Sequence, residues 1–505
     1  MRKINWYLWA VMLAALVYYV WMAAKIYYFQ TAYGRIYLEV AGNLASGKGL
    51  TYLSDGQMRP YVFWPPLFPV LIGLIAKVTG MSILASFYFL SGICIIFTFY
   101  FLYKIFRFYR LKPLLMPAGF VLYWFSWLFF LHFGALSETL FIPLFLGSFY
   151  YFMRWIQLRT NKDLWLTGIF LALALMTRYA TFGIIAAYVF IIYLESEKFA
   201  DFIRHSVKIL VPPVAVFIPW YLYTLRFSSF FQRDWGYHPV GDQHIYQLNV
   251  TVANWITPGL TKILIIPVLI LLILSMVAQI KKLPDLITDK YLYVPVLTGG
   301  IYFLFIILSI SFFDYDTPLD ARILAPVYFS LLPAGLYYLQ QLKSSSPGLF
   351  YMLLGLILIS HVWNIYPKSK ELRMQAGQIE HLRDSRFIRT VERYQNRIMW
   401  SNVTDLLKLY VHNDTLVREF PVKYDRKSLH TNLAFRSEMD SLKKRLDREK
   451  GMIVYFFGFM EREFLPDLED FNQYFDNYPV YRFNEGLIIF HSGFQDTLKV
   501  EQAHE

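Results

Sequence analysis

Asp314-Tyr315-Asp316-Thr317-Pro318-Leu319-Asp320-Ala321-Arg322-Ile323-Leu324-Ala325-Pro326 is the stretch on which the reading of this chain turns. It sets three carboxylates and one arginine where a long apolar run begins. Charge at a membrane boundary is expensive unless it anchors, pairs or binds something. Working outward, apolar runs of about 20 residues, the length a bilayer-crossing helix needs, recur through most of the chain. Of 505 residues 57% are hydrophobic and 19% aromatic, and the mean hydropathy is +0.39. A soluble chain of this size is not so apolar.

Candidate spans fall at 6–29, 82–104, 114–131, 139–154, 164–177, 179–194, 209–226, 259–280, 292–312, 322–341 and 348–366. The expectation is an α-helical polytopic membrane protein with about eleven transmembrane helices. The apolar stretch 67–79 is too short to span and reads as an interfacial or re-entrant helix. Arg2-Lys3 precedes a run that is too long for a signal h-region and has no small-residue cleavage site, so that run is expected to stay as the first span.

Orientation follows from Lys and Arg. With the N-terminus cytoplasmic, the inner loops are short and basic, carrying Arg2, Lys3, Lys104, Arg107, Arg110, Lys112, Arg154, Arg159, Lys281, Lys282 and Lys343 among others. The outer face then holds the loop 30–66, Glu138, Arg178, the loops 227–258 and 313–321, and everything after 366. The net charge of +12 does not mark a nucleic-acid face. From 367 onward about 22 basic and about 22 acidic residues cancel, so the surplus belongs to membrane topology.

Beyond 366 charge becomes dense. Arg397–Ser401 and Met452–Phe457 read as buried strands, and Tyr478–His491 alternates around Asn484-Glu485-Gly486, a hairpin signal. The expected division is a transmembrane domain at 1–366 and a small extracytoplasmic α/β domain at 367–505. Cys94 is the only cysteine, so no disulfide forms within the chain. There is no P-loop or dinucleotide fingerprint, which argues against an ATP-driven pump.

Several outer pieces can carry chemistry, and each has a plainer reading beside it. Residues 33–50 place Ile36, Tyr37, Val40, Ala41 and Leu44 on one helical face ending at Gly47, an amphipathic surface helix. In Gly134-Ala135-Leu136-Ser137-Glu138-Thr139, Ser137 or Glu138 either caps the next helix or presents a partly desolvated carboxylate as a base. Arg178 either snorkels or ligates phosphate. Asp320 and Arg322 form a surface pair or belong to a site. His238 and His244, with Asp234 and Asp242 nearby, match no specific zinc spacing.

Taken in order, these pieces resemble the polytopic GT-C glycosyltransferases that use polyprenyl-phosphate-linked sugars: bacterial aminoarabinose transferases, protein O-mannosyltransferases and Rgt-type transferases. The pattern is a Tyr, a small-residue helix and a Gly-x-Gly turn (Tyr37, Ala41, Asn43, Leu44, Gly47, Gly49), then Trp64-Pro65-Pro66-Leu67-Phe68-Pro69, then Ser137-Glu138, then Leu175, Arg178 and Tyr179, then Arg322, Leu324 and Pro326. The resemblance covers roughly 1–366. It implies a GT-C-like fold in a bacterial inner membrane and inverting sugar transfer from a polyprenyl-phosphate donor to a lipid, glycan or protein acceptor outside the cytoplasm.

On that resemblance Glu138 is the first candidate base, with Glu39 and Asp55 next. Arg322, Arg178 and Arg59 would stabilise the donor phosphate, and Tyr37, Trp64, Asp320 and His244 would line the substrate loops. No cofactor is implied with certainty; some members of the family use a divalent cation bound by outer carboxylates, for which Asp314 and Asp316 are the candidate ligands here. One position departs from the family, which carries an aspartate about four residues before the first-loop Tyr, where this chain has Tyr33. That departure keeps a non-catalytic relative that binds lipid-linked glycans in view. A lipid or sugar transporter is the other alternative, set against charges that cluster in outer loops instead of at mid-membrane.

Overall fold

The computed structural model describes residues 6–26, 32–54, 57–227, 236–278, 289–408, 410–411, 416–424, 430–457 and 464–494. These divide into two compact units, one of 1–50 with 61–374 and one of 51–60 with 375–505.

The first unit is helical. Six helices among the described residues are long and apolar enough to cross a membrane. They are α1 (Trp6–Lys25), α4 (Ile83–Phe108), α7 (Glu138–Leu158), α10 (Phe199–Leu225), α13 (Lys290–Phe312) and α15 (Pro347–Arg383). The run expected as one span at 114–131 is broken. α5 (Leu115–Trp124) and the segment Trp127–Phe133 are bent by 51°, and counting this pair gives up to seven spans. At the break Ser126 turns extended, and the Phe125 carbonyl accepts from the Asn364 amide at 3.1 Å. The runs at 164–177 and 179–194 form the shorter helices α8 (Asn161–Leu175) and α9 (Thr181–Leu194), with Arg178 between them.

Two helices of the first loop lie beside each other. α2 (Ala32–Ala45) is closed by the turn at Gly47, whose φ of +80° suits a residue without Cβ. α3 (Leu67–Thr79) follows Trp64-Pro65-Pro66 and has 13 residues, short of a span as expected. Gly73 lets them touch, since a Cβ there would lie 2.7 Å from the Ala41 carbonyl. The α3 start is also tied to the α8–α9 turn, where Leu67 N–H donates to Met176 O at 2.9 Å.

α7 is the most enclosed span, with 89% of its apolar window buried against 22–44% in the others. Apolar burial on all sides of a helix marks the centre of a bundle. At the far end of α9, Glu195 gathers Arg159, Lys290 and Tyr293, which anchors the ends of α7, α9 and α13 together. The remaining helices of this unit are α6 (Trp127–Phe130), α11 (Asp242–Ile256), α12 (Thr261–Ala278) and α14 (Ala325–Ser345).

The second unit is a five-stranded sheet in the order β4-β3-β5-β7-β6: β3 (Met399–Ser401), β4 (Val417–Glu419), β5 (Met452–Phe456), β6 (Val480–Arg482) and β7 (Gly486–Phe490). β4, β3 and β5 are parallel, while β5-β7-β6 is antiparallel. Alternate residues feed two cores. Met399, Met452, Val454, Phe456, Ile488 and Phe490 pack with Phe387, Ile388 and Val391 of α16 (Arg386–Arg393). Trp400, Ile453, Leu487 and Ile489 pack with Met439, Leu442 and Leu446 of α17 (Phe435–Arg448). A sheet covered on both faces needs apolar residues at successive positions, which is why Met452–Phe456 reads as a continuous apolar run.

Strands form within the expected stretches 397–401 (β3), 452–457 (β5) and 478–491 (β6 and β7), and β4 is an addition the pattern did not signal. This unit also takes in the first-loop hairpin β1 (Thr51–Ser54) and β2 (Gln57–Pro60), where Lys408 Nζ donates to Leu53 O at 3.4 Å.

Candidate active site

The site grows from the head of α7. The turn before it holds Ala135 at φ +51°, a left-handed conformation uncommon for a residue with Cβ. Ser137 occupies the N-cap position but makes no side-chain cap bond. Its hydroxyl faces Arg178 instead: Arg178 Nη1 donates to Ser137 Oγ at 3.2 Å and lies 2.5 Å from Glu138 Oε1. Ser137 Oγ is also 3.4 Å from Glu138 Oε2. The capping reading of Ser137 is therefore replaced by a polar cluster.

The Glu138 side chain is 4% exposed and that of Arg178 is 18%. Enclosed charges need their partners, because removing one leaves the other stranded in a poor solvent. Arg178 does not snorkel along a span. It sits where the α8–α9 connection turns, its N–H bonded to Ala174 O and its carbonyl to Thr181 N–H.

Tyr37 reaches the same cluster from α2. Its ring is packed by Trp64, Phe68 and Tyr61, with centroids at 5.6, 5.3 and 6.4 Å. Burial pushes its hydroxyl up to about 12, against the opposing pull of Ser137 and Arg178, so it remains a donor. Tyr302 of α13 donates to Ile323 O at 2.7 Å and lies within electrostatic reach of Arg178 and Glu138. Nearby, Trp220 Nε1 donates to the Tyr179 hydroxyl at 2.8 Å.

The loop 314–324 supplies the second arginine. Asp320 Oδ2 accepts from Arg322 Nε at 2.7 Å, and Oδ1 accepts from the N–H groups of Arg322 and Ile323 at 2.9 and 3.2 Å. Asp320 thus closes the turn that opens α14 and orients Arg322 at once. Arg322 lies within electrostatic reach of both Glu138 and Arg178. His244 of α11 is 1% exposed, accepts from Gly241 N–H at 3.2 Å and bonds Tyr315 O at 2.9 Å. His238 N–H donates to Ser311 O.

Glu138, Arg178 and Tyr37 are therefore brought together, with Arg322 and Asp320 in electrostatic range and Trp64 in the aromatic wall. Glu39 is half-buried two residues from Tyr37 on α2, about 200° around the helix from it. Arg59 is exposed on β2, in the second unit. Asp55, Asp234 and the Tyr33 side chain lie outside the described residues. Asp314 and Asp316 are half-buried, and among the described residues no three His, Cys, Asp or Glu side chains gather to hold an ion. Sequence reasoning passed over Tyr61 and Tyr302. Tyr302 had one signal, a polar tip inside the apolar run 292–312.

Several solved structures align with the chain. ArnT from Cupriavidus metallidurans, in a crystal structure bound to undecaprenyl phosphate, shares 12% identity and covers 96% of this chain and 99% of its own, with a TM-score of 0.57. Its apo form aligns at 11% identity, 95% and 99% coverage and the same TM-score. The Saccharomyces cerevisiae protein O-mannosyltransferase Pmt1-Pmt2 complex bound to the sugar donor aligns over 45% of this chain and 34% of its own, at 13% identity and TM-score 0.33, below the level at which a shared fold is read. No protein-family model and no curated protein matches the chain. The chain has the fold of ArnT, which is the GT-C fold implied by the order of its outer motifs.

Proposed function

We propose that this chain is an inverting membrane glycosyltransferase that moves a sugar from a polyprenyl-phosphate carrier to an acceptor hydroxyl on the extracytoplasmic side of a bacterial plasma membrane. The observation that carries the reading is how Arg178 is used. Among the described residues its polar bonds, to Glu138 and Ser137, both come from Nη1. Nη2 and Nε are left to meet another anion, and a guanidinium fork suits phosphate. Arg322 stands within electrostatic range of the same place.

In this reading the acceptor oxygen attacks the anomeric carbon as the bond from that carbon to the phosphate oxygen breaks. The polyprenyl phosphate leaves with the bonding pair, and the acceptor proton goes to a carboxylate. Glu138 would be that carboxylate, a choice its contact with Arg178 supports, with Glu39 and Asp55 the next candidates. A phosphate drawing on Arg178 would loosen its hold on Glu138 and free an oxygen for the acceptor. Arg178 and Arg322 would stabilise charge building on the leaving phosphate. The donor is already activated, so no nucleotide site is required.

Tyr33, at the position where the resembled family carries an aspartate, favours a second reading: a non-catalytic relative that binds lipid-linked glycans. The transporter reading is weaker, because Glu138 is the first residue of its span and lies far from mid-membrane in sequence.

The test is transfer of radiolabelled sugar from polyprenyl-phosphate donors in membranes carrying wild type, Glu138→Gln or Arg322→Ala. Transfer by wild type that both substitutions abolish supports the enzyme. Donor binding without transfer by any of the three supports the non-catalytic relative.

A further inference from the structure

Leu319 is 1% exposed, yet both of its backbone polar groups are satisfied by side chains of α11. Its N–H donates to Gln247 Oε1 at 3.0 Å, and its carbonyl accepts from Thr251 Oγ1 at 3.3 Å. A buried loop residue has no ladder of its own, so its peptide groups must find such partners. One helical turn earlier His244 bonds Tyr315 O at 2.9 Å. One turn later Trp255 packs on Tyr328 of α14, ring centroids 5.6 Å apart. Residues 244, 247, 251 and 255 form one stripe along α11, and every one of them grips the segment 315–328.

That segment is where Arg322 is aimed. Asp320, next to Leu319, holds Arg322 by its Nε and its N–H. Nothing in the helix α14 itself would set this approach, since Arg322 precedes it and Leu324 at its N-cap makes no side-chain cap bond. We infer that α11 is a positioning rail: Gln247 and Thr251 fix Leu319, Leu319 fixes Asp320, and Asp320 presents Arg322 to the donor phosphate. Gln247 and Thr251 are positioning residues and touch no substrate. The inference rests on the donor reading given above for the role of Arg322. The rail itself does not.

The test uses the full chain, purified in detergent, with undecaprenyl phosphate as the probe. Wild type, Gln247→Leu, Gln247→Glu, Arg322→Lys and Gln247→Leu/Arg322→Lys are titrated, and amide exchange over 319–324 is read in each. Gln247→Leu should weaken binding about fivefold, the worth of one net hydrogen bond. It should also speed exchange over 319–324 by a similar factor. Gln247→Glu keeps an acceptor for Leu319 N–H and should restore both. In the Arg322→Lys background, where the Nε bond to Asp320 is gone, Gln247→Leu should add nothing to the binding loss.

An equal loss in both backgrounds, or no loss in either, overturns the inference. If wild type does not bind the probe, the donor reading falls. The rail is then judged by exchange alone, and unchanged protection of 319–324 in Gln247→Leu overturns it.

Discussion

Arg178 and Glu138, from two different connections of the bundle, meet at 2.5 Å with their side chains 18% and 4% exposed. An enclosed pair of this kind is asymmetric to mutation. It contributes little over a well-packed apolar pair, but breaking it on one side is costly.

Arg178→Ala should therefore destabilise the protein by about 3–5 kcal/mol, because it strands Glu138. Glu138→Gln retains an acceptor for Nη1 and should cost less, about 1–3 kcal/mol. The double change Glu138→Leu/Arg178→Met should recover most of the stability while transferring no sugar. Thermal unfolding of the purified proteins, read beside a transfer assay, checks all three. A double variant that remains active would remove the pair from the chemistry.

Tyr37 offers a test by pH. Burial pushes its hydroxyl up to about 12. The group stays protonated across the working range and keeps its O–H to donate. Tyr37→Phe should lower transfer about three- to tenfold, the loss of one hydrogen bond. It should leave the shape of the pH–rate profile below about pH 10 unchanged, the ordinary tyrosine range. A limb below that pH that disappears in Tyr37→Phe would contradict the assignment.

Asp447 carries an acid-sensitive contact in the second unit. Burial would raise its carboxyl, but hydrogen bonds from the Tyr478 hydroxyl and from the Ser492 N–H and hydroxyl outweigh that and hold it below the usual range. A depressed carboxylate contributes stability that is fully present above its unfolded value, about 3.9, and is lost as pH falls through the folded one. Amide protection over 478–492 should thus weaken below about pH 4 in the full chain. Asp447→Asn should flatten that dependence. An unchanged acid limb in Asp447→Asn would assign the sensitivity elsewhere.

Two glycines should respond in opposite senses. A Cβ on Gly486 would stand 2.2 Å from the Tyr455 carbonyl and 2.8 Å from Phe387, within the sheet and its core. Backbone cannot step aside there, and Gly486→Ala should cost about 1–3 kcal/mol. Gly300 lies in α13 with nothing within 4 Å of such a Cβ. Gly300→Ala should be neutral or stabilising by up to about 1 kcal/mol through helix propensity. Thermal unfolding of the two single variants is the check.

Much of the architecture was legible in advance because apolar length and period are local properties. The long runs, the short α3 at 67–79, the close of α2 just before Gly47 and the strands within 397–401 and 452–457 all follow from them. The break at Phe125–Ser126 was not legible. It involves Asn364 from a helix far along the chain, and the run 114–131 is uniformly apolar on either side. The hairpin at 51–60 was hidden because its company is the second unit, not its sequence neighbours.

The candidate site divides in the same way. Residue chemistry and order along the chain singled out Ser137, Glu138, Arg178, Asp320 and Arg322, because charge beside long apolar runs is costly and stands out in one dimension. Which carboxylate meets which arginine was decided only by tertiary structure. Asp320 and Arg322 are bound to each other by a turn two residues long, whereas Glu138 and Arg178 meet because α7, α8 and α9 pack side by side. Gln247 and Thr251 were invisible beforehand for the same reason: a polar residue on an amphipathic helix has no marked partner until the fold brings a buried peptide group against it.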